Sequence, residues 1–345
     1  MIRIGVVGAT GYTGLELIRL LMYHSEIRLT YVTSRSNAGK DLNEVFPALK
    51  GKLSLKCEEY DINRAMALCD FIFLALPHGL SREIAPKLIR AGKRVVDLGS
   101  DFRLKDLTQY EQWYKHKFMP LSDVAPIYGL PELHGSDIQK ASLIANPGCF
   151  AIATILGMAP LMKEDWIEKN GIIVDAKSGV SGAGRSLSLS SHFSEVTEST
   201  RAYKVTVHQH TPEIEQELTN LSGNLVNLNL TTHLIPMSRG IFSTCYVKLR
   251  KSVSSKEIQE KYRLFYLEEP FVQILSEGVY PATRDVYGSN TCLIGLKVDE
   301  RIQVVVIMSV IDNLTKGASG NAIQNMNLMC GFNEVMGLPR MGLVP

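Results

Sequence analysis

A short apolar strand runs directly into evenly spaced glycines and then into a helical pattern, and that order restricts the fold more than any other feature of the chain. Ile2-Arg3-Ile4-Gly5-Val6-Val7 reads as a buried strand, and Gly8-Ala9-Thr10-Gly11-Tyr12-Thr13-Gly14 follows it. Leu17, Ile18, Leu21 and Met22 then recur at helical spacing. Strand, glycine loop and helix together fit a βαβ unit, in which glycines let backbone amides approach a pyrophosphate at a helix N-terminus. Gly8, Thr10, Gly11, Tyr12, Thr13 and Gly14 are therefore candidate dinucleotide contacts.

The next strand, Ile27 to Val32, ends at Thr33-Ser34-Arg35-Ser36-Asn37, where a unit built for NAD normally carries a carboxylate for the ribose hydroxyl. None stands there. Arg35, with the hydroxyls of Ser34 and Ser36, suits a 2′-phosphate, so NADP(H) is the expected cofactor. Strands at Asp70 to Leu76 and Arg94 to Leu98, with a helical pattern over Ser81 to Arg90 between them, continue the alternation of a mostly parallel sheet. Their carboxyl ends carry Pro77-His78-Gly79 and Gly99-Ser100-Asp101-Phe102-Arg103, where open α/β sheets hold ligands. Pro77 and His78 are candidate cofactor contacts, and Arg103 is a candidate anion binder. Residues 104–141 read as an excursion between strands.

Ser142 to Ala145 is the last strand of this half, and Asn146-Pro147-Gly148-Cys149 leaves it. Ile152, Ile155, Leu156, Ala159 and Leu161 continue at helical spacing, which puts Cys149 in a first turn, where unpaired amides and the helix dipole favour a thiolate. Pro147-Gly148 supplies the turn, and Asn146 beside it is a candidate substrate contact.

From Gly171 the pattern changes to longer strands at Ile172 to Ala176, Asn224 to Leu230, Ile241 to Leu249, Thr291 to Val298 and Gln303 to Ile311. Helical stretches at Thr211 to Leu221 and Ser255 to Leu267 complete the expectation of an antiparallel sheet with helices on one side. Ser178-Gly179-Val180-Ser181-Gly182-Ala183-Gly184-Arg185 is a small-residue loop that can wrap an anion with amides and a guanidinium, with Ser178 and Arg185 as its contacts. His208-Gln209-His210-Thr211-Pro212-Glu213 places two imidazoles just before a helix. A metal needs a third ligand, and no Asp, Glu, His or Cys stands at a recognisable spacing, so no metal is expected. Proton transfer beside a cysteine suits the pair better, since an imidazole titrates near pH ~6.5.

The closing stretch from Thr315 opens with small residues and becomes an apolar-striped helix ending near Gly331, too apolar to hang in solvent. It is expected to return to the first half, which gives a nucleotide domain of 1–148 completed by 315–345 and a second domain of 149–314. A length of 345 residues fits two cores. A net charge of +2 without a basic stripe excludes an electrostatic claim on nucleic acid or membrane. No apolar run approaches the ~18 residues of a membrane span, and the direct entry of Met1-Ile2 into a strand predicts a cytoplasmic protein. Six cysteines without a Cys-x-x-Cys pair predict reduced thiols rather than a zinc site or disulfides.

Taken together, Gly8-Ala9-Thr10-Gly11-Tyr12-Thr13-Gly14, Leu76-Pro77-His78-Gly79, Asp101-Phe102-Arg103, Asn146-Pro147-Gly148-Cys149-Phe150, His208-Gln209-His210-Thr211-Pro212-Glu213 and Lys316-Gly317-Ala318-Ser319-Gly320 closely resemble the N-acetyl-γ-glutamyl-phosphate reductases of arginine biosynthesis. The resemblance spans nearly the whole chain. One departure is Ile152, where the family's cysteine signature usually has threonine. The resemblance implies a Rossmann-like NADP-binding domain (α/β) joined to a semialdehyde dehydrogenase-like catalytic and oligomerisation domain (α+β), in a homodimer or homotetramer. It implies NADPH-dependent reduction of a small acyl phosphate to a semialdehyde and phosphate through a thioester on Cys149. His210 is then the acid/base group, with His208 second. Arg103, Ser181 and Arg185 are candidates to hold phosphate or carboxylate, Glu213 to touch the substrate, Ser181 and Gly182 to bind the cofactor, and Asn313 and Gly317 to border the nicotinamide. Two rivals differ in function. A reductase acting on aminoadipyl or glutamyl phosphate attached to a carrier protein needs a basic groove that the near-neutral charge does not support, and a silent NADP-binding sensor would keep Cys149 and both histidines without using them.

Overall fold

Apolar runs such as Phe71-Ile72-Phe73-Leu74 bury both faces of a strand, and parallel sheets are where such runs are used. The computed structural model of the protein describes residues 1–117 and 124–343, and they fall into two units. The first comprises the described parts of Met1–Lys105, Phe118–Pro147 and Ala318–Leu338; the second, those of Asp106–Lys117, Gly148–Gly317 and Pro339–Pro345.

The first unit starts with β1 (Ile2–Val7), α1 (Tyr12–Leu21), β2 (Ile27–Thr33), α2 (Leu42–Val45), α3 (Ile62–Leu68), β3 (Phe71–Leu74), α4 (Ser81–Arg90) and β4 (Arg94–Asp97). After α5 (Leu107–Tyr114), it continues with the two-residue β5 (Ile127–Tyr128), α6 (Pro131–Ile138) and β6 (Leu143–Ala145). The sheet order is β2-β1-β3-β4-β6-β5, and every pairing is parallel. The excursion expected over 104–141, of which 118–123 lie outside the described residues, thus contains structure. Asp106 caps α5 by accepting from the Thr108 amide at 2.8 Å, and Pro131 starts α6. Helix α5 belongs to the second unit, where Tyr110 stacks on Tyr114 and the Tyr114 hydroxyl donates to the Gln209 carbonyl at 3.4 Å.

The second unit is organised around α7 (Cys149–Met162), every residue of which is buried except Cys149 at its start. The sequence predicts an apolar stripe; the helix is apolar all round because it lies inside its unit. Ile152 is fully buried, so an apolar side chain suits its place. The remaining elements are β7 (Asn170–Ser178), α8 (Phe193–Val196), β8 (Arg201–Tyr203), α9 (His210–Ser222), β9 (Asn227–Leu234), β10 (Ile241–Lys248), α10 (Ser255–Phe265), β11 (Val272–Ile274), β12 (Cys292–Asp299) and β13 (Val304–Ile311). They form a seven-stranded sheet in the order β11-β12-β13-β10-β7-β9-β8. The expectation of an antiparallel sheet needs correction: β7 pairs parallel with β9 and β11 parallel with β12, so the sheet is mixed. The long connection carrying α9 between β7 and β9 provides the crossover that a parallel pair requires. Alternation in β7, with Ile172, Val174 and Ala176 buried and Ile173 exposed, leaves the part of that sheet face around Ile173 uncovered among the described residues.

Helix α11 (Gly320–Cys330) closes the first unit with amides as well as apolar contacts. Asn321 and Asn325 donate to the Gly129 carbonyl at 2.7 and 2.8 Å, and both donate to Asn146 Oδ1. The chain then leaves again: from Pro339 it belongs to the second unit, tied by the Asn290 amide to the Pro339 carbonyl, the Thr291 hydroxyl to the Arg340 carbonyl and the Leu343 amide to the Tyr287 carbonyl. The closing segment 315–345, expected to complete the first domain, is therefore divided, with only Ala318–Leu338 in that unit.

Candidate active site

Cys149 is the first residue of α7, and Gly148 is its N-cap without a side-chain cap. The first amides of such a helix have no carbonyl four residues back, so the thiol sits over a positive helix end. Two contacts fix its backbone. Glu213, fully buried, accepts the Gly148 N–H at 2.8 Å, and the His210 ring lies over the same glycine: a Cβ there would fall 2.2 Å from His210 Nε2. On the other side, a Cβ on Gly317 would fall 2.9 Å from Cys149 Cβ. Gly317 lies in a π-helical turn, Thr315–Ser319, a form frequent at functional sites. Asp312 starts that turn by accepting the Leu314 and Thr315 amides at 2.8 and 3.0 Å, and its other oxygen takes an ion pair from Arg239 at 3.2 Å.

The two histidines differ in surroundings. His208 is buried, its Nδ1 accepts the His210 N–H at 3.1 Å, and burial, with help from the charge of Lys204, pushes its pKa down to about 3. It is a neutral imidazole that holds the start of α9. His210 is half-buried and meets His208 edge-on, with ring centres 4.7 Å apart. Phe150 presents its ring to both. Helical spacing then brings His210 and Glu213, three residues apart, to Gly148 together. Among the described residues no cluster of His, Cys, Asp or Glu could hold a metal ion.

The small-residue loop is built against the segment 237–240. Val180 and Ser181 donate their amides to the Met237 and Ser238 carbonyls, and the buried Ser178 hydroxyl donates to the Gly179 carbonyl at 2.9 Å. Asn313 ties both strands of this arrangement, accepting from Gly240 N–H at 2.7 Å and donating to Ser181 Oγ at 3.0 Å. A Cβ on Gly182 would meet Ser178 Oγ at 2.7 Å. Ser178, Ser181, Gly182 and Asn313 are thus brought together, and Arg185 is exposed.

In the first unit the glycines divide their labour. Gly8 adopts φ +93°, and a Cβ there would fall 2.2 Å from the Ala75 carbonyl oxygen; one on Gly14 would fall 2.4 Å from the Gly8 carbonyl oxygen. Gly11, the N-cap of α1, would meet nothing closer than 3.9 Å, which leaves room above the helix start for a pyrophosphate. Tyr12 and Thr13 open that helix. Thr10 Oγ1 and Ser34 Oγ are 2.7 Å apart, so the loop is joined to the end of β2, with Arg35 and Ser36 exposed beyond it. These residues fit a dinucleotide. Pro77 and His78 are exposed; His78 Nδ1 lies 2.7 Å from Ser100 Oγ. Sequence reading passed over the group that holds their turn: Asp101 accepts the Gly79, Ser81 and Arg82 amides, and the Ser81 hydroxyl donates to Asp97 at 2.6 Å. Burial, reinforced by the charge of Asp101, raises Asp97 to about 7. Arg103 and Asn146 also belong to this unit. Arg103 is buried and donates to the Asn146 and Leu98 carbonyls at 2.8 and 3.0 Å, and the Asn146 side chain donates to the Ala318 carbonyl at 3.2 Å. Both hold the turn that leads toward Cys149.

A glycine-cradled parallel sheet, followed in the chain by a cysteine at a helix start with an imidazole on its neighbouring residue, defines an oxidoreductase of the semialdehyde dehydrogenase class. Residues 3–141 match the family described as "Semialdehyde dehydrogenase, NAD binding domain", and residues 149–313 match "Semialdehyde dehydrogenase, dimerisation domain". The N-acetyl-gamma-glutamyl-phosphate reductases of Desulforamulus reducens and Moorella thermoacetica are each 50% identical over 347 residues, covering 100% of both chains. The chain belongs to the N-acetyl-gamma-glutamyl-phosphate reductase family. Its fold is that of aspartate semialdehyde dehydrogenase II from Vibrio cholerae (TM-score 0.71, 18% identity, 96% of this chain and 99% of that one). An aspartate semialdehyde dehydrogenase from Candida albicans, solved with NADP, has a TM-score of 0.72 at 15% identity, covering 96% of this chain and 99% of that one.

Proposed function

We infer that this protein reduces N-acetyl-γ-glutamyl phosphate to N-acetylglutamate semialdehyde and inorganic phosphate, a step of arginine biosynthesis, with NADPH as the reductant. The observation that carries the mechanism is the His210 ring packed on Gly148, next in the chain to Cys149. The Cys149 thiolate attacks the acyl carbon; a C–S bond forms, the C–O bond to phosphorus breaks, and phosphate leaves with that electron pair. The resulting thioester keeps the acyl group in place. NADPH, when bound by the Gly8–Gly14 loop with Ser34, Arg35 and Ser36 at its 2′-phosphate, supplies the hydride that brings this carbon to the aldehyde level. His210 gives a proton to the acyl oxygen and takes it back as the C–S bond breaks, which returns the thiolate. His208, neutral and buried, orients His210, and Glu213 holds the Gly148 amide.

The family's dimerisation domain favours a homo-oligomer. Ile173 and Tyr246, exposed cross-strand partners of the second sheet, and the exposed Leu187, Leu189 and Phe193 are apolar surface suited to a second copy. Six cysteines without a disulfide fit the cytoplasm, and no helix is long and apolar enough to cross a membrane among the described residues.

Cys149→Ser is expected to abolish phosphate-dependent oxidation of N-acetylglutamate semialdehyde while NADPH still binds, as followed by fluorescence titration. Undiminished turnover in that variant would sink the mechanism.

A further inference from the structure

We propose that Lys204, which no sequence pattern marks, is the cation that receives the phosphate expelled at Cys149. The proposal rests on the acyl-phosphate reading above and names the group that makes phosphate a bound product and, in reverse, a bound substrate.

Four observations carry it. First, Lys204 follows β8, whose Tyr203 is held in register against Thr232 of β9, and the chain then makes a turn closed by the Val207 N–H donating to the Lys204 carbonyl at 3.0 Å. Two residues of that turn without glycine's freedom are left-handed, Lys204 at φ +47° and Thr206 at φ +63°. For a β-branched threonine this is a costly conformation, kept only where the surroundings impose it. Second, the turn delivers the Lys204 ammonium to Gln209 Oε1 at 2.6 Å, and Gln209 is the residue between the two histidines and the N-cap of α9. Third, Lys204 acts on His208 electrostatically and disfavours its protonation. A surface lysine with no further task has no reason to act on a buried imidazole, which it repels when charged. Fourth, its charge is uncompensated: among the described residues no carboxylate pairs with Lys204, and its ammonium meets only the neutral Gln209 amide. A cation held by a strained turn and a neutral acceptor, beside the first turn of α9, is a site prepared for an anion. The groups it acts on are Gln209 and His208, which flank His210 in sequence and, for His208, in space with ring centres 4.7 Å apart, so the anion it meets is the one made or consumed beside His210, the phosphate.

The test uses the full-length enzyme and compares Lys204→Met with Lys204→Arg. In the oxidative direction, Lys204→Met should raise the KM for inorganic phosphate by about tenfold or more. The KM values for semialdehyde and NADP should stay within about twofold, and Lys204→Arg should recover most of the loss. A rise in the semialdehyde KM with an unchanged phosphate KM would assign Lys204 to the substrate carboxylate and overturn the proposal. A second readout needs no turnover. Cys149 and Cys330 are half-buried while Cys57, Cys69, Cys245 and Cys292 are buried, so iodoacetamide labelling is read at the Cys149 peptide by mass spectrometry, with the Cys330 peptide as the internal control. Inorganic phosphate should slow that labelling in the wild type and not in Lys204→Met. Equal protection in both refutes the assignment; protection lost in Lys204→Met in an enzyme that ignores this semialdehyde upholds Lys204 and rejects the substrate reading.

Discussion

Gly148→Ala isolates the contact on which the catalytic geometry depends. The backbone at Gly148 has φ −74° and ψ 150°, a conformation open to alanine, so the substitution introduces no backbone strain. Its methyl group would sit 2.2 Å from His210 Nε2, 2.4 Å from Cε1 and 2.6 Å from Cδ2. Ordinary contact begins near 3.4 Å, so the ring must retreat by about 1.2 Å. Misplacing a catalytic group by about 1 Å costs about 10²-fold in rate, roughly 2.7 kcal/mol of barrier. Overpacking of this kind costs about 1–3 kcal/mol of stability, so the variant should remain folded. The assay is kcat/KM for semialdehyde oxidation, with thermal unfolding as the control on folding. Adding Gly148→Ala to His210→Ala should cost little further, because the ring that clashes is gone. A folded Gly148→Ala enzyme within threefold of wild type, or a double variant much slower than His210→Ala alone, would refute the reasoning.

Two further outcomes follow from the first unit. Arg35→Ala should raise the KM for NADPH by about tenfold and leave that for NADH unchanged, with the difference shrinking as salt is added because Arg35 is exposed; parallel changes for both cofactors would remove Arg35 from the 2′-phosphate. Asp97 has its folded pKa raised from 3.8 to about 7 by burial, so folding binds a proton that the unfolded chain has released between those values. Its contribution is therefore full below about pH 4 and is lost as pH rises toward 7, at up to about 1.4 kcal/mol per pH unit. Asp97→Asn keeps an oxygen for the Ser81 hydroxyl and the Gly99 amide, and should remove that part of the slope in denaturation curves taken from pH 4 to 8; identical slopes would count against it.

The features legible in the sequence were those whose physics is local. Strand–glycine–helix order, small residues before a cysteine, and two histidines at the start of a helix each depend on a few neighbouring residues. Pairing across the second sheet does not: β7 and β9 read alike whether parallel or antiparallel, and the helix between them decides. Nor could residue type show that Arg103 spends hydrogen bonds on the Asn146 and Leu98 carbonyls, that α5 leaves the first unit to support Gln209, or that Thr206 is left-handed before the histidines.

Gly148 shows how a correct residue can be found for an incomplete reason. Pro-Gly marks a turn because glycine tolerates positive φ, yet Gly148 does not use that freedom, and neither do Gly182 or Gly317. Each is glycine because another side chain occupies the volume a Cβ would need: His210 at Gly148, Ser178 at Gly182, Cys149 at Gly317. Gly39, Gly51 and Gly92 show the opposite case, with positive φ and nothing within 4 Å. A backbone that alanine could adopt, beside a neighbour that alanine would strike, separates glycines that admit catalytic side chains from those that only turn the chain. By that measure part of the site is assembled by omission: the His210 ring, the Ser178 hydroxyl and the Cys149 side chain each pack where a Cβ at Gly148, Gly182 or Gly317 would stand.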